Sequence, residues 1–331
     1  MIPYVIGQWV NGDRFYGRAA LLAELTSAPA RSWWAGLRRI GKTSLLRELD
    51  HRAAGDPVHR RWPLVWDFQG LNTATDLADS FGEALLDAEE VLDGLATAVP
   101  EDPSLALPEL GRRARERGGE VLVLIDEADA LLDLVMAAAP AVAALWNALA
   151  AAGLRVVVVS SPRLADVGLD SASSRYVPGL AATLGAPHWL GPLADDEAAD
   201  LLRQSRLPAA DRPHLEGAEV EVLRQAAGNH PMLLQMLGKR RAELGSVAAA
   251  LAHVAADRSV ANLFAVDFDL LAPAEREFLV NGAPTEAAER LVAFGLVAPK
   301  GGGFEVRSPL LAGWLASDSA PLLIEPRLAR Q

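Results

Sequence analysis

Residues 36–43 read GLRRIGKT, which places two glycines, a lysine and a threonine in the spacing G-x-x-x-x-G-K-T. The run follows the β-like residues SWWA and precedes the helix-like residues SLLREL. A loop between a strand and a helix can curl around a phosphate, because glycines leave its backbone N–H groups free to point inward. The N-terminus of the following helix adds further N–H groups and a favourable dipole. The stretch therefore predicts a phosphate-binding loop in an α/β domain.

The side chains of this loop have distinct expected roles. Lys42 is expected to reach the β- and γ-phosphates of a nucleotide, and the Thr43 hydroxyl to bind magnesium. Arg38 and Arg39 either contact phosphate, project into solvent or pair with a neighbouring acid, and solvent or pairing is favoured over phosphate. The predicted nucleotide contacts of this stretch are Gly36, Arg39, Ile40, Gly41, Lys42, Thr43 and Ser44.

A second candidate site follows the apolar run VLVLI at residues 121–125. Asp126 and Glu127 come directly after it, and the carboxyl ends of buried parallel strands are where open α/β sheets bind ligands. We expect Asp126 to be a magnesium ligand, since that ion prefers hard oxygen ligands, and Glu127 to activate the attacking water as a general base. Without the upstream loop, the same pair would equally well cap the helix that follows.

A further apolar run, RVVVV, delivers Ser160, Ser161 and Arg163 to the same edge of the sheet. A polar residue at this point can sense the γ-phosphate, and Ser160 is the candidate. A Ser–Pro turn that leaves a strand explains these residues equally well. The predicted catalytic residues are Glu127, Lys42 and Ser160, and the predicted metal ligands are Thr43 and Asp126.

Composition narrows the classes of function. The chain has 331 residues, of which 51% are hydrophobic and 22% charged, which is typical of a globular protein of two or three domains. The net charge of −12 disfavours broad electrostatic contact with nucleic acid or an anionic membrane. The absence of cysteine excludes disulfides, thiolate metal sites and a cysteine nucleophile. We expect a cytoplasmic protein, since the first residues lack the basic and apolar regions of a secretory signal.

Residues 134–154 form a stretch apolar enough to span a bilayer by length alone. Pro140 interrupts it, and much of it is alanine, whereas spanning helices are richer in Leu, Ile, Phe and Val. The stretch also lies between two β-like runs. We therefore predict an Ala-rich helix packed on a sheet, and no membrane partner.

The first part of the chain has the pattern of an α/β protein. Short β-rich runs alternate with helix-length segments over residues 1–192, which predicts a P-loop NTPase domain with a parallel sheet covered by helices. The continuously apolar runs VLVLI and VVVV are typical of central strands. The expected strands are residues 31–35, 63–68, 121–125 and 155–160, with an edge strand near 188–190.

The remaining chain is predicted to form two smaller domains. Residues 193–259 have no β-rich run and are punctuated by Pro and Gly, which predicts a helical lid domain. Its expected helices are residues 195–206, 218–227 and 232–244. Residues 260–331 contain two helix-like segments, a GGG hairpin turn and a helix at 309–315, a succession that predicts a winged helix.

Together these segments resemble the STAND-type ATPases, the AAA+-related branch of P-loop NTPases that includes archaeal-type ATPases and bacterial signalling NTPases. The resemblance covers nearly the whole chain. GLRRIGKTSLL resembles the Walker A motif of that family, and VLVLIDEADAL its Walker B motif. LGPLADDEAADLL at residues 190–202 resembles the start of its helical lid, and residues 290–314 resemble its winged helix.

Two shorter motifs extend the expected nucleotide contacts. FYGR at residues 15–18 resembles the leading F-x-G-R motif of the family, which lies by the nucleotide base. GNHP at residues 228–231 resembles its lid glycine–proline motif. His230 would approach the γ-phosphate, although a helix start at Asn-His-Pro is equally explained by capping. The resemblance implies ATP and Mg²⁺ as cofactors and adds the contacts Phe15, Gly17, Arg18, His230 and Pro231.

The implied function is that of an ATPase used as a switch. ATP and magnesium would close the lid and winged helix onto the sheet, and slow hydrolysis would reset them. The output would be assembly, including a homo-oligomer, or engagement of a protein effector supplied in trans. An arginine finger is left open between Arg163 and Arg175.

Two alternatives belong to other classes of function. A nucleic-acid-binding AAA+ loader or regulator would need a basic groove between subunits, and a scaffold would hold nucleotide without turnover. From residue 257 onward there are seven Lys and Arg against ten Asp and Glu, which disfavours the first alternative. The intact Glu127 disfavours the second.

Overall fold

The structure is a computed structural model that describes residues 2–27, 30–56, 59–282 and 287–317. The predicted winged helix includes residues 283–286 and 318–331, which lie outside the described part of the chain. Residues 1, 28–29 and 57–58 of the predicted first domain also lie outside it.

The chain divides into two compact units that each collect residues from distant parts of the sequence. The sheet unit comprises Ala19–Gly36 and Lys42–His188. The helical unit comprises Met1–Arg18, Leu37–Gly41 and Trp189–Gln331. The phosphate loop predicted from the sequence is thus divided, because its first glycine and its lysine belong to the sheet unit and its middle residues belong to the helical unit.

A five-stranded sheet has the strand order β2-β3-β4-β1-β5, and its pairs β2–β3, β3–β4 and β4–β1 are parallel. The strands β3 and β4 are almost completely buried, as their continuous apolar runs predict. All four long predicted strands are confirmed: the strand at residues 31–35 has the predicted bounds, and the other three differ from theirs by one or two residues at one or both ends. The strands are β1 Arg31–Ala35, β2 Arg61–Asp67, β3 Glu120–Asp126, β4 Leu154–Ser160 and β5 His188–Trp189.

Helices alternate with the strands of the sheet unit, which confirms the predicted α/β class. Trp33, Trp66, Phe81 and Trp146 are among the fully buried side chains that fill its core. The helices are α1 Ala19–Ser27, α2 Lys42–Ala54, α3 Ala74–Asp87, α4 Glu89–Leu92, α5 Pro103–Glu116, α6 Leu131–Leu149, α7 Pro162–Gly168 and α8 Leu180–Leu184.

The long apolar helix α6 is part of this core. Val142, Leu145 and Trp146 are buried among the side chains of the sheet unit. Its backbone leaves the helical conformation at Ala138, two residues before Pro140, whose ring disfavours an unbroken helix. By length and composition, Ala128–Leu149 is the one segment of the described chain that could cross a membrane. Its packing matches the predicted helix on a sheet.

The helical unit contains a run of short helices followed by a hairpin. Gly301 and Gly302 both have positive φ and turn the chain between the antiparallel strands β6 and β7, as the GGG signal predicts. The elements are α9 Asp195–Arg203, α10 Gly217–Ala227, α11 Pro231–Leu244, α12 Val247–Ala255, α13 Arg258–Leu270, α14 Pro273–Asn281, α15 Ala288–Ala293, β6 Val297–Lys300, β7 Gly303–Val306 and α16 Pro309–Leu315.

Three features of this unit differ from the sequence prediction. The helix α12 was not expected, although the Ser246 side chain caps its N-terminus. The helix α13 begins at Arg258, capped by Asp257, and therefore crosses the predicted domain boundary at residues 259/260. Further upstream, α9 ends three residues early because Gln204 adopts a left-handed conformation.

Candidate functional site

The carboxyl edge of the sheet gathers the predicted metal ligands. Asp126 ends β3 in register with Asp67 at the end of β2, and it is only 6% exposed. The Thr43 hydroxyl donates a hydrogen bond to the Asp126 carboxylate, and the Glu127 N–H donates another over 2.9 Å. Burial raises the pKa of Asp126, and the charge of Asp67 adds to this rise, whereas the two hydrogen bonds and Lys42 oppose it. The two predicted metal ligands are therefore direct neighbours.

Glu127 follows in a left-handed backbone conformation, with φ 48° and ψ 40°. Such a conformation costs a non-glycine residue about 1–2 kcal/mol. Its side chain makes no capping hydrogen bond to the short helix that follows, so capping does not account for it. The side chain is exposed, but the surrounding protein removes enough water to raise the pKa of Glu127, and the charge of Asp126 raises it further. Lys42 opposes both effects.

Lys42 begins α2 and supplies a positive charge that acts on both acids. Its ammonium donates a hydrogen bond to the Gly36 carbonyl over 2.9 Å. Gly41, the residue before it, has φ 99°, a conformation that strongly favours glycine. A Cβ on Gly41 would meet no atom of the described residues within 4 Å, so the backbone is open on that side. Ser44 lies in the first turn of α2.

The donor set at this edge fits magnesium. Thr43 and Asp126 offer hard oxygen atoms, and the pKa of Asp126 is raised because its charge is poorly solvated, a condition that a cation would relieve. Among the described residues, no group of three or more His, Cys, Asp and Glu side chains could hold a metal. Magnesium held by Thr43 and Asp126 would complete its coordination with waters and phosphate oxygens, the ligands that it commonly keeps.

The end of β4 is held differently from the end of β3. Ser160 is fully buried, and its hydroxyl accepts a hydrogen bond from Trp33 Nε1 over 2.8 Å and donates one to the Ser161 carbonyl over 2.9 Å. The N–H and hydroxyl of Ser161 both donate to the Asp129 carboxylate over 2.6 Å. A γ-phosphate-sensing role for Ser160 stays a prediction, and it would require the hydroxyl to leave these partners.

The middle of the phosphate loop is described within the helical unit. Arg39 has φ 56°, and its guanidinium donates to the Gly7 carbonyl over 3.4 Å, so here it binds protein rather than pairing with an acid. Ile40 is buried. His230 Nε2 lies 3.2 Å from the Arg38 carbonyl, and because a carbonyl only accepts, this nitrogen carries the proton. His230 makes no side-chain cap to α11, which begins at Pro231.

The motif FYGR is joined to two other motifs of the same unit. The Arg18 guanidinium donates to the carbonyls of Ile40 and Gly191, each over 2.9 Å. Burial lowers the pKa of Arg18 to about 10, and the nearby Glu197 opposes this shift, so the side chain stays charged at neutral pH. Gly17 has φ 79°, and a Cβ there would lie 2.8 Å from the Glu197 side chain. Phe15 is buried. In this structure Arg18 therefore supports the loop backbone.

Some residues that organise the site were missed from the sequence. Asp67 carried a usable signal, since it is an acid at the carboxyl end of a predicted strand. Asp129 lies in the first turn after β3, where an acid is also favoured by the helix dipole, and its carboxylate accepts the bonds that fix the turn at Ser161. Asp267 accepts a hydrogen bond from the Arg38 N–H of the loop, and no local sequence signal marks this contact across more than 200 residues.

The basic clusters of the chain are largely neutralised by neighbouring acids. Arg112 and Arg113 both pair with Glu109, and Arg112 also pairs with Glu116. In the helical unit, Lys239 and Arg240 pair with Glu243, and Arg241 pairs with Glu219. These side chains form paired surface networks of the kind expected on a solvated face.

The five-stranded sheet flanked by helices matches the fold of a P-loop ATPase. Among solved structures, the chain is similar to a Walker-type ATPase of Pyrococcus abyssi, with a TM-score of 0.64 and 17% identity, covering 96% of this chain and all of the other. It is also similar to the ORC2 protein of Aeropyrum pernix in ADPNP and ADP complexes, with a TM-score of 0.53 and 14% identity over 91% and 88% of the two chains. No family model and no curated protein matches the sequence. At such identities the similarity shows the fold alone.

Proposed function

We propose that this chain is an ATP-binding and slowly ATP-hydrolysing switch of the STAND type, which controls assembly or engagement of a protein partner. It would comprise a P-loop domain at residues 1–192, a helical lid at 193–259 and a winged helix at 260–331. Cytoplasmic location and partnership with an effector supplied in trans belong to the same proposal. The ORC2 protein was solved with ADPNP and ADP, which supports a nucleotide as the ligand of this fold.

The observation that supports the proposal most is the hydrogen bond from Thr43 to Asp126 beside Lys42. It joins the end of the phosphate loop to the acid that follows β3, although the two are more than 80 residues apart in the sequence. A hydroxyl, a carboxylate and a lysine in this arrangement match the chemistry of a magnesium–nucleotide site. Two acids with raised pKa values next to a lysine are typical of a functional site rather than of a structural edge of a sheet.

Each side chain has a defined part in the proposed reaction. Lys42 neutralises charge on the β- and γ-phosphates, and backbone amides of the loop other than that of Arg38 cradle them. Thr43 and Asp126 would hold Mg²⁺, which would supply charge neutralisation at the phosphate oxygens. Glu127 takes the proton of the attacking water. Its raised pKa brings it nearer neutral pH, where a carboxylate is a better base than one with an ordinary pKa.

The switch itself would depend on the helical unit. His230 and Pro231 begin α11, and His230 bonds the loop carbonyl of Arg38, so a change of loop conformation on binding ATP would be felt at GNHP. A ligand moves an equilibrium only through unequal affinity for two states, so ATP and ADP must differ at this contact. Phe15, Gly17 and Arg18 are proposed to complete the nucleotide-base side of the site.

Calorimetric titration of ATP with magnesium into the wild type and Lys42→Ala tests the binding step. We expect Lys42→Ala to lose detectable binding, because it removes the charge that meets the β- and γ-phosphates. Lys300→Ala is the matched control, since Lys300 is an exposed lysine of the hairpin paired with Glu305. Equal ATP affinity in wild type and Lys42→Ala would refute the assignment of the loop.

A further inference from the structure

The backbone of Arg38, in the middle of the phosphate loop, is held from both sides by the helical unit. Its N–H donates a hydrogen bond to Asp267 Oδ1 over 2.9 Å. Its carbonyl accepts one from His230 Nε2–H over 3.2 Å. The Arg38 N–H therefore points at a protein carboxylate, so it is not available to a phosphate in this conformation. The loop has a fixed point at its third residue.

Asp267 is a buried carboxylate on the core-facing side of its helix, among the buried residues Phe264 and Phe268. It is 5% exposed and lies on α13, next to Phe268. Phe264 and Phe268 pack against Trp314 of α16, so α13 is joined to the last described helix. A carboxylate buried in such surroundings is tolerated only when hydrogen bonds replace its lost hydration. The backbone N–H of the loop supplies one of these bonds.

The side chain before Arg38 reinforces the connection. Leu37 is 2% exposed and belongs to a small apolar cluster with Leu271, Phe278, Leu291 and Phe294. These residues follow α13 or lie in and beside α14 and α15. Two adjacent loop residues are thus fixed to the same group of helices, one by its side chain and the other by its backbone.

We propose that Asp267 is a positioning residue for the phosphate loop, which ties the loop conformation to the placement of α13 and the helices packed on it. The proposal deepens the function proposed above and rests on it. Because coupling between a ligand and a conformation is reciprocal, a loop held in its nucleotide-binding shape favours one placement of α13, and that placement favours nucleotide. Asp267 acts through the Arg38 N–H and touches no reacting atom.

The first experiment removes or preserves the acceptor at position 267. We expect Asp267→Ala to bind ATP with magnesium about tenfold more weakly, since a hydrogen bond to a charged group is lost. Asp267→Asn keeps an oxygen that accepts from the Arg38 N–H and should bind within about threefold of the wild type, the difference left between charged and neutral acceptors. Affinity is measured by calorimetry on the full chain, with thermal unfolding followed on the same samples.

Glu219→Ala is the matched control, a carboxylate of the helical unit that lies outside the Leu37 cluster. Glu219 is half-buried on α10, pairs with Arg241 and accepts the Glu216 N–H, so its removal also destabilises the unit. We expect Glu219→Ala to lower the unfolding temperature and leave ATP affinity unchanged. Loss of affinity in Glu219→Ala equal to that in Asp267→Ala, or a failure of Asp267→Asn to restore binding, would overturn the positioning role.

A second pair of variants changes Arg38 of the loop instead of Asp267. This pair tests the same hydrogen bond if Asp267→Ala does not fold. Arg38→Pro removes the N–H, whereas Arg38→Ala removes the same side chain and keeps the N–H. We expect ATP affinity about tenfold lower in Arg38→Pro than in Arg38→Ala. Equal affinity in the two variants would show that the N–H of residue 38 has no positioning role.

Amide hydrogen exchange without nucleotide separates this proposal from the ATPase proposal. We expect residues 37–41 to exchange faster in Asp267→Ala than in the wild type, because the loop has lost its tether. Unchanged exchange there would overturn the role of Asp267 even if the protein binds ATP. Conversely, faster exchange in Asp267→Ala together with no ATP binding by the wild type would retain the tether and refute the ATPase function.

Discussion

The acids of the sheet unit and the acid of the loop tether differ in what satisfies them. Asp126 and Glu127 lie at the carboxyl edge of the sheet with raised pKa values, each raised first by lost hydration; the charge of Asp67 adds to the rise at Asp126, and the charge of Asp126 adds to the rise at Glu127. Asp267, in the helical unit, accepts the Arg38 N–H. The sheet edge therefore holds negative charge that a bound cation would stabilise, whereas Asp267 helps to fix the loop before any ligand arrives. The acids proposed for catalysis and the acid proposed to position the loop therefore belong to different units and are stabilised by different means.

Glu127→Gln is the change expected to have the largest effect on the chemical side of this comparison. The amide preserves the shape of the side chain but cannot take a proton, so we expect ATP hydrolysis to fall at least about 100-fold. ATP affinity should stay within about threefold of the wild type, because Glu127 is not a predicted ligand of the phosphates. Release of phosphate at saturating ATP measures the first quantity and calorimetry the second.

Glu83→Gln is the control for this change, because Glu83 is an exposed acid on α3 of the same unit. It should hydrolyse ATP at the wild-type rate. Wild-type turnover in Glu127→Gln would remove Glu127 from the chemistry and leave its raised pKa without a catalytic explanation.

The unfolding temperature of Asp126→Asn tests whether the negative charge of Asp126 destabilises the folded protein. A carboxyl whose folded-state pKa is raised binds protons more readily folded than unfolded, so the protein loses stability as pH rises from the unfolded pKa through the folded one. At neutral pH without magnesium, Asp126→Asn should therefore unfold a few degrees higher than the wild type, at about 2–4 °C per kcal/mol. The gain should shrink as pH falls towards the ordinary Asp pKa.

Thermal unfolding of both proteins between pH 4 and 8 measures this effect. Asp87→Asn, at the end of α3, is an exposed control that should show no pH-dependent gain. With ATP and magnesium the order should reverse, because only the wild type binds the ion well at Asp126. A lower unfolding temperature for Asp126→Asn at pH 7 without ligand would show that the acid is already well satisfied.

The sheet unit is the region that the sequence predicts best. Each of the four main strands appears in the sequence as a β-rich run between helix-length segments. The acids that follow VLVLI mark the carboxyl edge of the sheet, because parallel strands end at the same edge. The loop and its flanking elements were predicted for the same reason, since spacing and context lie within about 20 residues. Local patterns suffice where the chemistry comes from adjacent residues.

The helical unit was harder to predict because its important contacts join distant residues. Arg18 to Ile40, His230 to Arg38 and Arg38 to Asp267 are single hydrogen bonds that leave no periodic pattern. Ser160 was chosen because it ends a strand, but only the fold reveals that Trp33 and Ser161 engage its hydroxyl. Side-chain direction at an element end depends on packing, which the sequence pattern does not encode.

Among these predictions, the smallest effect is expected for the binding of duplex DNA. The basic clusters at Arg112 and Lys239 belong to networks paired with acids, and the net charge is −12. We therefore expect no nanomolar binding of the isolated protein to duplex DNA at physiological salt, with or without ATP, by fluorescence anisotropy. Tight, salt-dependent binding would favour the loader or regulator function instead.

We propose that ATP bound at the loop changes the conformation of the helical unit around GNHP. Amide hydrogen exchange at residues 228–235 measures this change. His230 bonds the loop at Arg38, so a nucleotide that changes the loop must change protection around GNHP. We expect ATP with magnesium to protect these residues, ADP to protect them less, and both to protect the phosphate loop. Identical exchange at residues 228–235 with ATP, with ADP and without nucleotide would contradict the switch, even if the protein hydrolyses ATP.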